Sequence, residues 1–321
     1  AENDVPFETC GKLIGATETS ELPALAALSE RATTNGLTTR LVDQEELREI
    51  EPAIAGRRAL LSPETGIVDY GQICRVLARK LQQAGVAILY DQTVTGLRET
   101  SDIVRLTTDH TAIEARQVIA CAGLQADRIA AMSGLADDFC ILPFRGEYYR
   151  VAEDANCAVS HLIYPVPDPA LPFLGVHLTR MVGGFTTVGP NAMFSLGRET
   201  YARNAPQARD LRASLRFAGF WRLMAANAGH ALSELRASVS KTAYLRRCQR
   251  YAPTLTLKDL LPHPTGIRAQ AVQRDGTMID DFLIRQTARC THLCNAPSPA
   301  ATSAFPIAAE ITRRVLALHT G

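Results

Sequence analysis

The sequence predicts an incomplete α/β part and an α+β domain with a mostly antiparallel sheet. From residue 59 to residue 121, short apolar runs lie before and after one long amphipathic segment. This pattern is typical of α/β folds. From residue 141 to residue 190, β-like runs are separated by Pro, Gly and Asp, which indicates an antiparallel sheet. No G-x-G-x-x-G segment occurs in the 321 residues, so the α/β part is predicted to lack its first βαβ unit.

The first third of the chain is predicted to contain two helices followed by the α/β segment. One helix is expected over residues 20–35, capped by Ser20, after a strand at residues 11–17. A second helix is predicted to begin at Asp43, with Glu46 as its capping-box partner, and to end before Pro52. Further strands are predicted at residues 59–61, 86–90, 93–98, 103–107, 110–115 and 117–121, with a helix over residues 70–83.

The later part of the chain is predicted to begin with one continuous strand over residues 144–151. Alternation along that strand places Arg145, Glu147 and Tyr149 on one face. The strand at residues 117–121 is apolar throughout, which predicts burial on both faces of a parallel sheet. The remaining predictions are helices within residues 205–250, a hairpin over residues 266–285 turning at Asp275-Gly276, and a helix over residues 299–318.

Composition excludes several classes of protein. Lys and Arg total 34 and Asp and Glu total 33, so neither a nucleic-acid partner nor a strongly acidic one is expected. Eight cysteines without a framework pattern predict a reducing compartment. The N-terminal residues do not have the pattern of a signal peptide, and no run approaches the roughly 18 apolar residues of a membrane span. A cytoplasmic location is therefore expected.

The most informative segment runs from Asn295 to Thr302. An apolar strand leads into small residues, and a helix follows them. Small residues let a flat ligand approach the backbone, and a helix N-terminus offers unpaired N–H groups and partial positive charge. From these residues alone, a ligand site and an ordinary helix N-cap with a nearby proline both stay open.

The segment Asn295-Ala296-Pro297-Ser298-Pro299-Ala300-Ala301-Thr302 is similar to the flavin-contacting segment of the L-2-hydroxyglutarate oxidase/dehydrogenase family. That family lies within the D-amino-acid-oxidase-like FAD-dependent oxidoreductases. Segments at residues 144–151, 163–181, 188–192, 266–272 and 279–283 resemble it in the same order. The resemblance implies an FAD-binding part at residues 62–135 and 286–321, and a substrate domain at residues 1–61 and 136–285.

The resemblance implies FAD-dependent oxidation of L-2-hydroxyglutarate to 2-oxoglutarate, by hydride transfer to flavin N5. The electron acceptor would be oxygen or the quinone pool, and the latter would place the protein at the inner face of the membrane. Two alternatives stay open. One is a related amino-acid or hydroxy-acid oxidase, and the other is a truncated, non-catalytic remnant that no longer binds FAD because the pyrophosphate site is absent.

A second cofactor segment follows the strand at residues 117–121. The resemblance implies that Cys121, Ala122 and Gly123 lie against FAD through their backbone. Their small size has a simpler explanation, which is close packing of a helix on a strand at Gly123.

The resemblance also implies which residues hold the substrate. Arg268 is the first candidate for a carboxylate clamp, because guanidinium binds carboxylate with two parallel hydrogen bonds. A solvated arginine is the alternative. Tyr148 or Tyr149, together with Arg145, would supply polar contacts over the substrate, although a surface aromatic and an Arg145–Glu147 pair fit the same residues.

His177 is the candidate base for the hydroxyl proton. Oxidation of a 2-hydroxy acid needs a base with a pKa near neutrality, and histidine supplies one. A lone histidine on a strand is otherwise a packed core or surface residue. Cys290, His292 and Cys294 lack the spacing of a zinc site and are predicted to serve strand packing, so no metal is expected.

Overall fold

Strands and helices alternate in the first part of the chain, and runs of strands and one run of helices follow. A computed structural model describes residues 4–167, 175–201, 205–297 and 300–318. Within them, the strands in chain order are β1 (Phe7–Glu8), β2 (Lys12–Ala16), β3 (Arg40–Asp43), β4 (Arg58–Ser62), β5 (Ile67–Val68), β6 (Val94–Glu99), β7 (Val104–Thr108), β8 (Ala112–Ala115), β9 (Val118–Ala120), β10 (Phe139–Gly146), β11 (Tyr149–Val151), β12 (Leu162–Pro165), β13 (His177–Arg180), β14 (Thr186–Gly189), β15 (Met193–Phe194), β16 (Leu260–Pro262), β17 (Gly266–Gln273), β18 (Leu283–Gln286) and β19 (Cys290–Asn295).

The α-helices of the described residues include both long amphipathic helices and short ones between strands. In chain order they are α1 (Leu22–Thr34), α2 (Gln44–Ile50), α3 (Tyr70–Gln83), α4 (Ala126–Ala131), α5 (Ala208–Arg216), α6 (Ala218–Ala226), α7 (Ala228–Val239), α8 (Lys241–Cys248) and α9 (Ala304–Ala317). None of them is long and apolar enough to cross a membrane.

The chain divides into two compact units. Unit 1 comprises Ala1–Gly85, Gly146–Met193 and Gly229–Gly266, and unit 2 comprises Val86–Arg145, Phe194–Ala228 and Ile267–Gly321. These bounds differ from those of the predicted FAD-binding part and substrate domain. Residues 62–85 lie in unit 1, and residues 194–228 and 267–285 lie in unit 2.

Unit 1 contains an eight-stranded mixed sheet in the order β16-β11-β14-β13-β12-β2-β4-β3. β12 runs parallel to β2, and the other neighbouring pairs are antiparallel. The largest hydrophobic cluster of the unit includes Leu13 and Leu178 from the sheet and Tyr244 from α8. Its burial stabilises the sheet that carries His177.

Unit 2 contains three three-stranded sheets, in the orders β15-β10-β17, β18-β19-β9 and β6-β7-β8. In the second sheet, β19 is parallel to β9 and antiparallel to β18. Ala130, Phe139, Ile141, Ala271 and Cys294 pack together in one core of this unit. Unit 2 therefore combines a parallel strand pair with antiparallel sheets.

Helix caps confirm part of the sequence analysis and correct the rest. The predicted helix over residues 70–83 is confirmed as α3. Asp43 caps α2 as predicted, accepting hydrogen bonds from the N–H groups of its first turn, but the Glu46 carboxylate pairs with Arg40. Ser20 does not cap α1, because it lies inside a 3₁₀ turn (Thr19–Glu21) that begins with a capping box between Glu18 and Glu21.

The predicted strand at residues 86–90 does not form in the structure. The segment has no strand neighbour among the described residues, and Val86, Leu89 and Tyr90 are exposed. A strand needs a partner for its backbone hydrogen bonds, so its apolar sequence alone does not suffice. The predicted burial of β9 on both faces is also wrong, because Ile119 is 47% exposed.

The single strand predicted over residues 144–151 is two strands in different sheets. β10 ends at Gly146, where a Cβ would lie 2.6 Å from the Cβ of Pro190. The next N–H, that of Glu147, donates to the Asn191 Oδ1 atom at 2.8 Å and so leaves the sheet ladder. Arg145 and Tyr149 therefore do not share a strand face.

The C-terminal hairpin forms only at its turn. Gly276 adopts a φ of +92°, as a turn at Asp275-Gly276 requires, and Val272 bridges Met278. β18 then pairs with β19 instead of β17. The periodicity predicted the turn but gave no information on the partner of the returning strand.

Candidate active site

His177 is the first residue of β13 and lies opposite Gly189 of β14. Its side chain is buried, and its ring stacks on that of Tyr164 with centroids 4.1 Å apart and 9° between planes. The Nδ1 atom lies 3.0 Å from the Thr179 hydroxyl oxygen. This contact, together with the stack on Tyr164, fixes the orientation of the imidazole ring.

Tyr164 also contacts Lys12, whose Nζ atom lies 4.1 Å from the centroid of the ring. This is cation–π geometry. Burial lowers the pKa of the Lys12 ammonium. The sequence analysis missed Tyr164 and Thr179. Thr179 could have been found from strand alternation, because it lies two residues after His177 on the same strand.

Tyr148 lies beside Gly189, which is the strand partner of His177. Gly189 has a φ of +143°, and a Cβ there would lie 2.7 Å from the carbonyl oxygen of Glu147 and 3.0 Å from the Tyr148 ring. Only glycine allows that approach. Since Gly189 is also opposite His177, unit 1 brings two of the predicted substrate residues to one place.

A buried polar group supports this part of unit 1. Asn191 donates from Nδ2 to the Glu147 carboxylate at 2.9 Å, which completes a reciprocal pair with the Glu147 N–H. The Tyr244 hydroxyl lies within hydrogen-bond distance of the carbonyl oxygens of Glu147 and Val188. Burial raises the pKa of Tyr244 well above its usual value, so its hydroxyl stays a donor. No local sequence pattern indicates this group, because the residues that its hydrogen bonds join are 44 or more positions apart.

Arg145 and Arg268 lie in unit 2, on the neighbouring strands β10 and β17. Arg145 is 7% exposed and Arg268 is half-buried. Unit 2 therefore holds both predicted arginines on one sheet. Two guanidinium groups there favour an anionic ligand.

The candidate cofactor segments follow two parallel strands. Val118 of β9 pairs with Cys290 of β19, and Ala120 pairs with His292, so both strands end at one edge of their sheet. Ligands of open α/β sheets bind at such edges. Cys121–Gly123 come directly after β9, and Asn295 ends β19 and is followed by Ala296 and Pro297, so the structure brings these two predicted segments together.

Gly123 keeps this edge open. Its φ is +51°, and no atom lies within 4 Å of a Cβ placed there. Cys121 is exposed at the same turn, and partial burial raises the pKa of its thiol. The turn therefore presents backbone and small groups without a blocking side chain.

The second segment is only partly as predicted. The Asn295 side chain is buried and donates to the carbonyl oxygens of Ile279 and Asp281 at 3.0 and 2.8 Å, so it anchors the chain. Ser298 and Pro299 lie outside the described residues. The predicted helix over residues 299–318 begins as a 3₁₀ turn (Ala300–Ser303) that contains Ala300, Ala301 and Thr302, and becomes α-helical at Ala304.

A buried ion pair supports the turn at Gly123 through the neighbouring residue Leu124. Arg198 is 1% exposed, and its two terminal nitrogens donate to the two carboxylate oxygens of Asp127. One of them also donates to the carbonyl oxygen of Leu124 at 2.7 Å. Burial alone would raise the pKa of Asp127, but the hydrogen bonds and charge of Arg198 outweigh it, so this pKa lies below its usual value. The sequence analysis missed this pair, whose members lie 71 residues apart.

The geometry at the strand ends fits a flat cofactor held by backbone atoms. No atom lies within 4 Å of a Cβ placed at Gly123, and the small residues after β9 and β19 are exposed or partly exposed, so a ring can approach their backbone closely. The Asn295 side chain donates both of its amide hydrogens to carbonyl oxygens within the protein, so it cannot donate a hydrogen bond to a ligand. The residues that remain for FAD here are Cys121, Ala122, Gly123, Ala296 and Pro297.

Comparison of the sequence with known proteins gives a consistent result. The family model "FAD dependent oxidoreductase" matches residues 1–314. The chain is 46% identical over 319 residues to the L-2-hydroxyglutarate dehydrogenase of Salmonella houtenae, covering 99% of the chain and 76% of that relative. It is 45% identical over 318 residues to the enzyme of that name from Escherichia coli K12, with 99% and 75% covered.

Solved structures share the fold at lower identity. L-alpha-glycerophosphate oxidase from Mycoplasma pneumoniae, solved with FAD bound, matches with a TM-score of 0.74 and 20% identity over 99% of this chain and 74% of that one. Glycine oxidase from Geobacillus kaustophilus matches with a TM-score of 0.67 and 17% identity over 98% and 73%. By its sequence matches, the chain belongs to the family of FAD-dependent oxidoreductases and, within it, to the L-2-hydroxyglutarate dehydrogenases.

Proposed function

We propose that the chain oxidises L-2-hydroxyglutarate to 2-oxoglutarate in an FAD-dependent reaction. The observation that carries this proposal is the 46% identity, over 99% of the chain, to a relative named for that substrate. Within unit 1, the buried and stacked His177 supports it, because a 2-hydroxy acid offers a hydroxyl proton to a base. Within unit 2, Arg145 and Arg268 on neighbouring strands support it, because a dicarboxylate is anionic.

Each candidate side chain has one proposed role. Arg268 binds the C1 carboxylate with two parallel hydrogen bonds, and Arg145 adds positive charge from the neighbouring strand. Tyr148 donates a hydrogen bond to the substrate from its place beside Gly189. His177 accepts the hydroxyl proton, and Thr179 contacts its Nδ1 atom and orients the ring.

FAD, when bound, supplies the hydride acceptor, its N5 atom. We place it at the strand ends of unit 2, against Cys121–Gly123 and the segment from Ala296 to Thr302. Residues 62–135 and 286–321 form the FAD-binding part in this proposal. The backbone of Ala300, Ala301 and Thr302 would face the negative charge that develops on reduction. Ser298 and Pro299 belong to the same segment.

The test begins with purified full-length chain and added FAD. Retention of flavin absorbance through gel filtration measures binding, and bleaching of that absorbance without oxygen measures reduction by a substrate. L-2-hydroxyglutarate should bleach the flavin and yield 2-oxoglutarate. D-2-hydroxyglutarate, glycine and L-proline serve as matched controls for stereochemistry and for amino-acid oxidation.

Each outcome of this test has a distinct meaning. Bound flavin that is bleached by an amino acid and not by L-2-hydroxyglutarate would replace the substrate in the proposal. A chain that retains no FAD and forms no 2-oxoglutarate would exclude activity of this chain alone. Oxygen consumption compared with reduction of a soluble quinone identifies the electron acceptor. Quinone use would support association with the membrane.

A further inference from the structure

An open cavity of about 360 Å³ lies at the surface of unit 2, between α4, α5 and the first residues of β10. The Phe139 and Phe217 side chains and several alanine methyl groups form apolar parts of its wall. Three arginines, Arg128, Arg216 and Arg274, also line it. This volume lies in the range of sites for small organic ligands, which are mostly apolar with a few polar groups. None of these residues is proposed to contact the substrate or FAD, although the lining also includes Asp127 of the ion pair that supports the Gly123 turn.

Most charges around the cavity are already compensated within the protein. Arg128 donates to Asp210 at 2.6 Å and to Gln125 at 2.8 Å. Both carboxylate oxygens of Asp127 accept hydrogen bonds from Arg198. Burial raises the pKa of the Cys140 thiol to about 12, so this wall residue is neutral. These groups therefore add little net charge to the cavity.

Two guanidinium groups at the cavity keep unused donors. Arg216 forms no hydrogen bond or ion pair within the part of the chain that the structure describes, and it is exposed at the end of α5. Arg274 donates from Nε to the carbonyl oxygen of Asp137 at 2.6 Å, which leaves its terminal nitrogens. The uncompensated charge of the cavity is therefore positive. This positive charge lies beside the rings of Phe139 and Phe217.

We propose that this cavity binds an organic anion with an apolar body, of the aryl- or alkyl-carboxylate class. The rings of Phe139 and Phe217 would contact the apolar body, and Arg216 and Arg274 would bind the carboxylate. Inorganic anions and short dicarboxylates lack a body that fills the apolar wall. The site is separate from the proposed active site and does not require FAD or turnover.

The test is equilibrium dialysis of the full chain with 4-phenylbutyrate, with 4-phenylbutanol as the neutral analogue. One equivalent of 4-phenylbutyrate should bind, at least about tenfold more tightly than the alcohol, because the anion gains charge-assisted hydrogen bonds. Arg216→Ala and Arg274→Ala should each weaken binding about five- to tenfold. Phosphate at the same concentration should not displace the ligand.

Arg212→Ala is the matched control. Arg212 lies one turn before Arg216 on α5, is exposed, and has no ion pair among the described residues, but it does not line the cavity. Binding should be unchanged in this variant and in Arg268→Lys. Binding that is absent, equal for the alcohol, insensitive to both cavity arginines, or displaced by L-2-hydroxyglutarate would overturn the proposal.

Discussion

Two regions of the molecule hold functional groups in opposite ways. Around His177 in unit 1, the ring is buried, and its contacts include an aromatic stack and the Thr179 hydroxyl group. At Gly123 in unit 2, the turn is open on one side and is fixed from the other by the buried pair of Arg198 and Asp127. The first region orients a side chain, and the second shapes a backbone.

The difference follows from what each region must do. A base changes charge during its reaction, so a nearby fixed carboxylate would shift its pKa strongly, whereas a ring and a hydroxyl orient it with a weaker electrostatic effect. A backbone turn does not change charge, so a strong ion pair can hold it without shifting the pKa of a reacting group. We infer that His177 acts by proton transfer and that Gly123 acts by its shape.

The largest effect is expected at His177. His177→Gln keeps a polar side chain of similar size but removes the base, so kcat should fall about 10²- to 10⁴-fold. KM for L-2-hydroxyglutarate should change much less, because the carboxylate contacts remain. Steady-state formation of 2-oxoglutarate measures both constants. A variant with nearly normal kcat would remove His177 from the role of base.

The next effect concerns the ion pair beneath Gly123. Asp127→Asn leaves the buried guanidinium of Arg198 without a counter-charge, which should cost about 3–5 kcal/mol in the free energy of unfolding. Urea denaturation at pH 7 measures the difference. Glu310→Gln on α9 is the control, because Glu310 pairs with Arg313 and Arg314 at the surface and its loss should not be measurable.

The same pair predicts a pH dependence of stability. The pKa of Asp127 is lowered in the folded state, so its contribution is fully present above the usual aspartate pKa of about 3.9. It is lost as the pH falls through the lower, folded-state pKa. The difference in unfolding free energy between wild type and Asp127→Asn should therefore shrink below about pH 4. A constant difference down to the acid transition would contradict the lowered pKa.

Sequence reasoning predicted what depends on local pattern and missed what depends on long-range contacts. The helix over residues 70–83 and the small residues after β9 and β19 follow from periodicity and residue size. The Arg198–Asp127 pair joins residues too far apart for any local signal. Residues 86–90 failed as a strand for a related reason, since strand formation depends on a neighbour that the segment itself does not specify.

A smaller effect is expected for the clamp of unit 2. Arg268→Lys keeps the charge but loses the paired hydrogen bonds of a guanidinium, so KM should rise about tenfold to a hundredfold. The kcat at saturating substrate should fall less. Initial rates over a wide range of L-2-hydroxyglutarate concentration separate the two constants. An unchanged KM would exclude Arg268 as the clamp.

The shape argument for Gly123 can be tested with a matched glycine. Gly123→Ala and Gly36→Ala both place a Cβ at a positive φ, and neither Cβ meets an atom within 4 Å. Each substitution should cost about 1–2 kcal/mol of stability. Only Gly123→Ala should weaken FAD binding, as measured by flavin retained in gel filtration. Equal flavin retention in both variants would place FAD away from this turn.

The smallest effect is expected at Thr179, and it tests how His177 is positioned. Thr179→Val keeps the shape of the side chain but removes the hydroxyl 3.0 Å from Nδ1, so kcat should fall about fivefold, as expected for one neutral hydrogen bond. KM should stay constant, because Thr179 has no proposed contact with substrate. Thr179→Ser restores the hydroxyl and should recover kcat. A merely structural role predicts lower stability in the valine variant without this rescue. If both variants kept the wild-type kcat, the stack on Tyr164 alone would be enough to orient the base.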